Sequence, residues 1–135
     1  MNSKITLSVT QGTLEGAEYT FDAPARCTVG RSSDCDIHVP ERWENMDVSR
    51  HHCEFEIDPP TVWVRDLSSH NGTFVNGQNI GLRRRPLIET DEVGDTGVAF
   101  ALKDGDEVRV GHTVFHVTIP EAVDAEVQKV PIYFV

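Results

Sequence analysis

The chain has 135 residues, a formal net charge of −10 at pH 7, 39% hydrophobic residues and 25% charged residues. A chain of this length forms about one domain, and this composition is typical of a globular protein rather than a disordered or membrane-embedded one. The negative charge argues against nucleic acid and against an anionic membrane surface as partners, because proteins that bind them usually present a basic face.

The N-terminal segment and the cysteines predict a cytoplasmic protein. The first residues contain no continuous apolar core of a signal peptide, and no apolar run approaches the ~18 residues that span a membrane. The three cysteines, Cys27, Cys35 and Cys53, form an odd set without C-x-x-C spacing. This pattern favours reduced thiols, and it leaves open a bridge between Cys35 and Cys53.

Alternation of apolar and polar residues predicts short β-strands along most of the chain. The predicted strands cover residues 5–9, 19–21, 27–29, 37–39, 52–57, 62–65, 73–75, 78–80, 98–100, 107–110 and 113–119. Asn76-Gly77 separates two of them and is the strongest short-range signal for a hairpin. About eleven short strands separated by turns are typical of an antiparallel sandwich or barrel, and we expect an all-β, antiparallel β-sandwich.

Two long connections and the C-terminal end lie outside this strand pattern. Residues 41–47 and 81–97 form the connections, and the second begins with Arg83-Arg84-Arg85 before it becomes acidic. We expect these arginines to neutralise the acidic residues that follow. Residues 1–120 are predicted to form the domain and residues 121–135 a C-terminal extension. The apolar end of that extension leaves open packing on the sheet, a homodimer with a second copy, or continuation into further sequence.

Three polar clusters at predicted turns offer groups that can hold a phosphate. The first is Gly30-Arg31, where a rigid guanidinium follows a strand and can bind an anion or else pair with Asp34 or Asp36. The second covers residues 49–52, where a serine hydroxyl and an arginine are adjacent. The third covers residues 68–73, a dense turn with hydroxyls, an imidazole, an amide and a glycine that permits positive φ. This third turn can expose N–H groups to a peptide, or it can be stabilised by its own side chains.

Two other chemistries fit these clusters poorly. A metal site at residues 51–53 is disfavoured, because adjacent strand residues point to opposite faces. Serine hydrolysis would use Ser49 or Ser69 with a neighbouring histidine, but the sequence has no nucleophile elbow, and small sandwich turns rarely enclose a reaction. We therefore expect neither an enzyme nor a bound metal or other cofactor.

In this order, the clusters resemble the forkhead-associated (FHA) domain, a β-sandwich of the SMAD/FHA type that reads phosphopeptides. The matching motifs are Gly30-Arg31, Ser49-Arg50-x-His52, Asp66-Leu67-x-Ser69-x-Asn71-Gly72-Thr73-x-Val75-Asn76-Gly77 and Leu102-x-Asp104-Gly105-Asp106-x-Val108-x-Val110-Gly111. Each motif alone is weak, whereas the ordered set is specific and extends over residues 4–119. The resemblance implies binding loops at one end of the sandwich.

The resemblance also implies roles for individual residues. Arg31 and Ser49 would grip the phosphate of a phosphothreonine, and Arg50 would add contacts to the phosphate or the backbone. Asn71 would bind the main chain of the ligand, while Ser69 and His70 belong to the same contact surface and His70 approaches the phosphate. The positions expected to support the loops without touching the ligand are Gly30, His52, Gly72 and Asn76.

Two features depart from the family pattern. His70 occupies a position that holds a hydroxyl residue in some relatives, although an imidazole can also donate to a phosphate. The acidic loop 41–47 is longer than usual and precedes Ser49 directly. Because Asp47 stands two residues before Ser49, we expect basic or apolar residues, rather than acidic ones, to be tolerated downstream of the phosphothreonine.

The sequence thus predicts a non-catalytic module that binds phosphothreonine in a partner protein and acts as a signalling adaptor downstream of a serine/threonine kinase. The alternative is a phosphate-independent interaction or oligomerisation scaffold with the same fold. The presence of Arg31, Ser49, Arg50 and Asn71 argues against a pure scaffold, which would not need all four.

Overall fold

The computed structural model describes residues 4–81 and 99–120, which form eleven β-strands and a 3₁₀ helix at Trp43–Asn45. In chain order the strands are Ile5–Gln11 (β1), Glu18–Phe21 (β2), Ala25–Gly30 (β3), Ile37–His38 (β4), Cys53–Asp58 (β5), Thr61–Asp66 (β6), Thr73–Val75 (β7), Gln78–Asn79 (β8), Phe100–Ala101 (β9), Glu107–Val110 (β10) and Thr113–Thr118 (β11). The arginines at 83–85, with the neutralising role expected for them, lie outside the described residues. So does the predicted extension at 121–135, with the dimer contact left open there. Among the described residues, no helix is long and apolar enough to cross a membrane.

The strands form two sheets, so the predicted sandwich is confirmed. The first sheet has the order β2-β1-β11-β10-β7-β8 and the second the order β4-β3-β5-β6-β9. Neighbouring strands are antiparallel except β3 and β4, which are parallel with Val29 opposite Ile37. The β3–β4 pair is a parallel exception in this otherwise antiparallel sandwich, because residues 31–36 return the chain along β3 before β4 begins.

The core forms where the alternating apolar faces of the two sheets meet. Along β1, for example, Ile5, Leu7 and Val9 are buried and the residues between them are partly exposed. Phe55 of β5 and Phe115 of β11 meet across the two sheets, edge to face, with ring centroids 5.5 Å apart. The core thus holds the two sheets in a fixed relation and leaves the connecting loops at the ends.

The hairpin predicted at Asn76-Gly77 is present between β7 and β8. Asn76 has φ of 50° and Gly77 has φ of 86°, as a two-residue turn with positive φ at both positions requires. Phe74 pairs with Asn79 in the ladder on either side of the turn. The turn lies at the end of β7 that is remote from the loop 67–72.

Candidate functional site

The loop after β3, residues 31–36, is docked on the segment that precedes β5. The backbone N–H of Arg31 donates to the carbonyl oxygen of Ser49 (3.1 Å), and that of Ser32 donates to the carbonyl oxygen of Arg50 (2.9 Å). The close contact between these two stretches of backbone requires a glycine at position 30, because a Cβ on Gly30 would lie 2.1 Å from the Arg50 carbonyl oxygen. Gly30 thus allows the loop to place Arg31 beside Ser49.

Ser49 is also joined to the loop 67–72 between β6 and β7. The backbone N–H of His70 donates to the Ser49 Oγ (2.9 Å), and the Asn71 Nδ2 donates to the carbonyl oxygen of Asp47 (3.1 Å). Three loops that are distant in sequence therefore meet at one end of the sandwich. Because the Ser49 oxygen accepts a bond from His70, its own hydrogen is free to point at a ligand.

Two arginines of the site share one counter-ion, the carboxylate of Glu41. Arg31 Nη1 lies 3.0 Å from Glu41 Oε1, and Arg50 Nη1 lies 3.3 Å from Glu41 Oε2. The Arg31 side chain is 14% exposed and its Nε donates to the carbonyl oxygen of Val48, whereas the Arg50 side chain is 62% exposed. Arg31 is therefore held in one orientation, and Arg50 lies largely in solvent.

The acidic partners considered for Arg31 from the sequence have other contacts. The Asp34 carboxylate lies 2.9 Å from the His51 Nε2. The Asp36 carboxylate accepts bonds from the backbone N–H and the hydroxyl of Thr28, at 3.0 and 3.1 Å. The partner of Arg31 lies instead in the loop 41–47, and no local sequence signal marks this pairing.

Ser69, expected on the contact surface, is buried at 1% exposure. Its hydroxyl donates to the buried Asp66 carboxylate and accepts a bond from the Gly72 N–H (2.9 Å). The same carboxylate accepts bonds from the Ser69 N–H (2.9 Å) and the Thr73 hydroxyl (2.6 Å). Ser69 therefore shapes the loop and offers no hydrogen to a ligand.

Asp66 is a supporting residue that sequence reasoning missed. The signal that could have found it is an aspartate just ahead of a turn, where a carboxylate often accepts bonds from the following backbone.

His52 is fully buried and joins two parts of the site. Its Nδ1 accepts a bond from the Ser49 N–H (2.9 Å), and its Nε2 lies 2.8 Å from the carbonyl oxygen of Gly72. Because Nδ1 is the acceptor, Nε2 carries the proton and donates to Gly72, so the ring is neutral. Burial lowers the pKa of His52 below its ordinary 6.5, which favours the same neutral form. His52 thus ties the segment before β5 to the loop before β7.

Gly72 and Asn76 lie at opposite ends of β7. Gly72 has φ of 93° and a Cβ there would lie 2.5 Å from the Asn79 amide nitrogen, so the turn into β7 requires glycine. Asn76 instead donates to Asp106 (3.0 Å) and accepts a bond from the Glu107 N–H (2.9 Å). Asn76 therefore supports the end of the sandwich away from the site, which corrects the expectation that it supports the binding loops.

The geometry of the described residues does not assemble a serine nucleophile with a base. The ring of His51 contacts Asp34, and the ring of His52 contacts Ser49 N–H and the Gly72 carbonyl. The Ser69 hydroxyl donates to a carboxylate. The group that the Ser49 oxygen contacts is a backbone N–H, which cannot remove its proton.

The cysteines are free and buried, so the bridge left open between Cys35 and Cys53 is not formed. Ligand atoms of Asp34, Cys35 and His51 lie within 4.8 Å of one another, a set different from residues 51–53. However, the Cys35 thiol donates to the carbonyl oxygen of Arg50 (3.3 Å), and burial raises the pKa of Cys35. Both effects disfavour the thiolate that a metal requires, and the cluster is explained as a contact between the Asp34 carboxylate and the His51 ring beside a buried thiol.

A groove leads away from Asn71 at the same end of the molecule. Its lining residues are Gln11, Asp47, Asn71, Gly72, Phe74, Arg109, Gly111 and His112. It adjoins a second hollow beside Trp43, because Asp47 and His112 line both. Trp43 is 83% exposed, and His112 Nδ1 lies 2.8 Å from Asp47 Oδ2. Sequence reasoning missed Trp43 and His112, which come from a loop and a turn far apart in the chain.

Comparison with known proteins places these loops in a family context. The family model of the FHA domain matches residues 27–111. The glycogen accumulation regulator GarA of Mycolicibacterium smegmatis is 33% identical over 105 residues, which cover 78% of this chain and 52% of GarA. The angiogenic factor with G patch and FHA domains 1 of Mus musculus is 32% identical over 108 residues, which cover 76% of this chain and 13% of that protein. The chain thus spans about half or less of the length of these relatives.

The fold has a close counterpart among solved structures. An FHA domain solved in work on phosphothreonine-dependent FHA domain interactions has a TM-score of 0.65 and 26% sequence identity, and the match covers 88% of this chain and 99% of that one. The family match includes all three loops of the site and the strands that carry them. This chain belongs to the FHA domain family.

Proposed function

We propose that this chain binds phosphothreonine in partner proteins, without catalysis, and thereby links the output of a serine/threonine kinase to a downstream protein. One observation carries the proposal: the Arg31 guanidinium, the Ser49 hydroxyl and the Asn71 carboxamide come from three separate loops that hydrogen bonds join directly. The phosphothreonine-dependent interactions of a structural relative support the same function.

The available hydrogen-bonding groups match a phosphorylated peptide. Arg31 and Arg50 supply permanent positive charge, and a charge-assisted hydrogen bond contributes about 1.5–3 kcal/mol. The Ser49 hydroxyl has a hydrogen to donate to a phosphate oxygen. The Asn71 Nδ2 has one hydrogen beyond that given to Asp47, and its Oδ1 has no partner among the described residues, so the carboxamide can pair with a peptide unit. A few such bonds suit a modest, reversible affinity.

The net charge of the chain and its three cysteines indicate the conditions under which this function would operate. The chain carries a net charge of −10, so the positive site is a local feature on a repelling background that salt screens beyond ~8 Å. Buried, unpaired Cys27, Cys35 and Cys53 support the proposal of a reducing, cytoplasmic setting.

A phosphate-independent docking role is the second candidate. Trp43 and Met46 are exposed large apolar residues on the loop 41–47, at 83% and 58% exposure. Such residues are enriched where proteins meet. This role predicts equal affinity for phosphorylated and plain forms of a partner segment, and that prediction separates the two candidates.

The test is a fluorescence anisotropy titration with a labelled peptide carrying phosphothreonine and with its plain threonine twin. We expect the wild-type chain to bind only the phosphorylated form with measurable affinity. Arg31→Ala should abolish this difference. Arg26→Ala, which removes an exposed arginine of β3 that pairs only loosely with Glu56 at 3.7 Å, should not. Equal binding of both peptides by the wild-type chain would overturn the proposed function.

A further inference from the structure

Glu41 contacts one Nη1 donor of each of the two arginines that the proposed function assigns to a phosphate. Each of its two carboxylate oxygens contacts a different arginine, Arg31 at 3.0 Å and Arg50 at 3.3 Å. We propose that Glu41 is an internal competitor that sets the affinity of this site: it pairs with both arginines until a phosphate displaces it. The inference rests on the proposed phosphothreonine binding and adds a residue that controls it.

The loop is built so that the Glu41 side chain can leave without moving the backbone. The carbonyl oxygen of Pro40, directly before Glu41, accepts bonds from the Arg42 N–H (2.9 Å) and from the Asn45 Nδ2 (2.9 Å). Asn45 is fully buried and also donates to the Thr13 hydroxyl (3.1 Å). The Glu41 side chain, in contrast, is 48% exposed. Rotation into solvent therefore costs the two ion pairs and leaves the loop anchored.

Charge decides which ligand can displace it. Glu41 offers one negative charge and two oxygens, whereas a phosphothreonine carries about −1.5 to −2 and three terminal oxygens. Two phosphate oxygens can replace both carboxylate contacts, and the third can accept the hydrogen of Ser49. An aspartate or glutamate of a partner has only the charge and oxygens of Glu41 itself, and it also loses translational freedom on binding. Occupancy of the arginines by Glu41 thus holds simple carboxylate ligands below useful affinity.

A competitor inside the chain has a quantitative signature. If only the fraction of molecules with Glu41 swung out can bind, every ligand of the two arginines is weakened by the same factor. The opposite role is that Glu41 merely holds Arg31 and Arg50 in position, in which case its removal weakens binding. The two roles therefore predict effects of opposite sign.

The test uses Glu41→Gln, which keeps the shape of the side chain and removes its charge. The matched control is Glu56→Gln, because the Glu56 carboxylate of β5 is likewise shared by two arginines, Arg65 at 3.3 Å and Arg26 at 3.7 Å. Titrations use the phosphothreonine peptide, its threonine twin, and inorganic phosphate as a competitor. We expect Glu41→Gln to lower the Kd for the phosphopeptide and the Kd for inorganic phosphate by the same factor, roughly two- to tenfold. The threonine peptide should remain unbound. Glu56→Gln should match the wild type.

The outcomes distinguish this inference from the function on which it rests. If the wild-type chain prefers the phosphopeptide but Glu41→Gln binds it equally or more weakly, Glu41 is not a competitor and the proposed function stands. If Glu41→Gln and Glu56→Gln lower the Kd for the phosphopeptide equally, the effect comes from net charge, and this result would also overturn the inference. If neither the wild type nor Glu41→Gln distinguishes the phosphopeptide from its twin, both proposals fail.

Discussion

The backbone N–H of His70 donates a 2.9 Å hydrogen bond to the Oγ of Ser49, 21 positions earlier in the chain. This bond joins the loop before β7 to the segment before β5, and it uses the oxygen of Ser49 as an acceptor. The hydroxyl hydrogen is therefore directed elsewhere, and the open side of the site is where a phosphate oxygen would accept it. The same contact positions Asn71, the next residue, beside Asp47.

The two serines of the site should respond differently to loss of their hydroxyl groups. Ser49→Ala removes the hydroxyl that we propose to bind the phosphate and the acceptor for the His70 N–H, so we expect the Kd for a phosphopeptide to rise about tenfold or more. Ser69→Ala removes one of the three hydrogen bonds that the buried Asp66 carboxylate accepts and leaves the Gly72 N–H without its partner, so we expect the free energy of unfolding to fall by about 1–3 kcal/mol. Urea unfolding and peptide titration of both variants check this. A larger loss of affinity in Ser69→Ala than in Ser49→Ala would show that the roles are reversed.

Gly30→Ala should separate the loop after β3 from the segment before β5. A Cβ there would lie 2.1 Å from the Arg50 carbonyl oxygen, so the loop must shift and Arg31 must move from Ser49. We expect phosphopeptide binding to be lost along with some stability. The control is Gly105→Ala, because Gly105 has φ of 89° but open space around a Cβ, in the turn before β10. Gly105→Ala should lower the free energy of unfolding by about 1 kcal/mol and leave the Kd unchanged. If Gly30→Ala also kept the Kd of the wild type, the close approach of Gly30 to Arg50 would not be needed for binding.

His52 should make the stability of the fold depend on pH below neutrality. Burial lowers the pKa of His52 in the folded chain from the ordinary 6.5, so between 6.5 and that lower value the unfolded chain binds a proton that the folded chain does not. The stability contribution is present above pH 6.5 and is lost as pH falls through this window, with a slope of up to about 1.4 kcal/mol per pH unit.

The measurement is the free energy of urea unfolding at pH 7.5 and pH 5.5 for the wild type and for His52→Gln. The variant should be less stable at pH 7.5, because it lacks the two hydrogen bonds of the His52 ring. Since glutamine cannot titrate, its free energy of unfolding should fall less on acidification than that of the wild type. The other histidines and the carboxylates contribute to both chains and cancel in the comparison. An identical loss in the two chains would mean that His52 is not the titrating group.

The groove beside Asn71 predicts which residues the ligand tolerates downstream of the phosphothreonine. Arg109 also lines this groove, but the adjoining hollow presents the exposed Trp43 beside the carboxylates of Glu44 and Asp47. A lysine, an arginine or an apolar side chain can use these groups, whereas an acidic side chain meets repulsion. On a peptide array with fixed phosphothreonine, we expect basic and apolar residues to be accepted in preference to Asp and Glu. Asp47→Asn should weaken the preference for basic residues, and enrichment of acidic residues by the wild type would contradict this account.

Local patterns predicted the strands well, because alternation and turn residues depend only on neighbouring positions. Asn76-Gly77 is such a case, where two positive φ values follow from two adjacent residue types. The side-chain partners were harder to predict. The pairing of Arg31 with Glu41 and the parallel β3–β4 pair depend on how a loop folds back in space.

Membership of a motif also did not reveal whether a side chain faces the ligand or the interior. Ser69 and His70 are adjacent in the sequence, yet the first is buried against Asp66 and the second is exposed. Asn76 belongs to the same motif but lies beyond β7, at the other end of the sandwich. Only the direction of the chain through the turn decides these placements.

Two-dimensional ¹⁵N–¹H NMR during titration with a phosphothreonine peptide shows whether the three loops form one phosphate-binding site. We predict that the backbone amide signals of Arg31, Ser49 and Asn71 shift together with a single Kd, and that those of Asn76 and Gly77 do not shift. Shifts confined to one loop, or centred on the Asn76-Gly77 turn, would contradict the account.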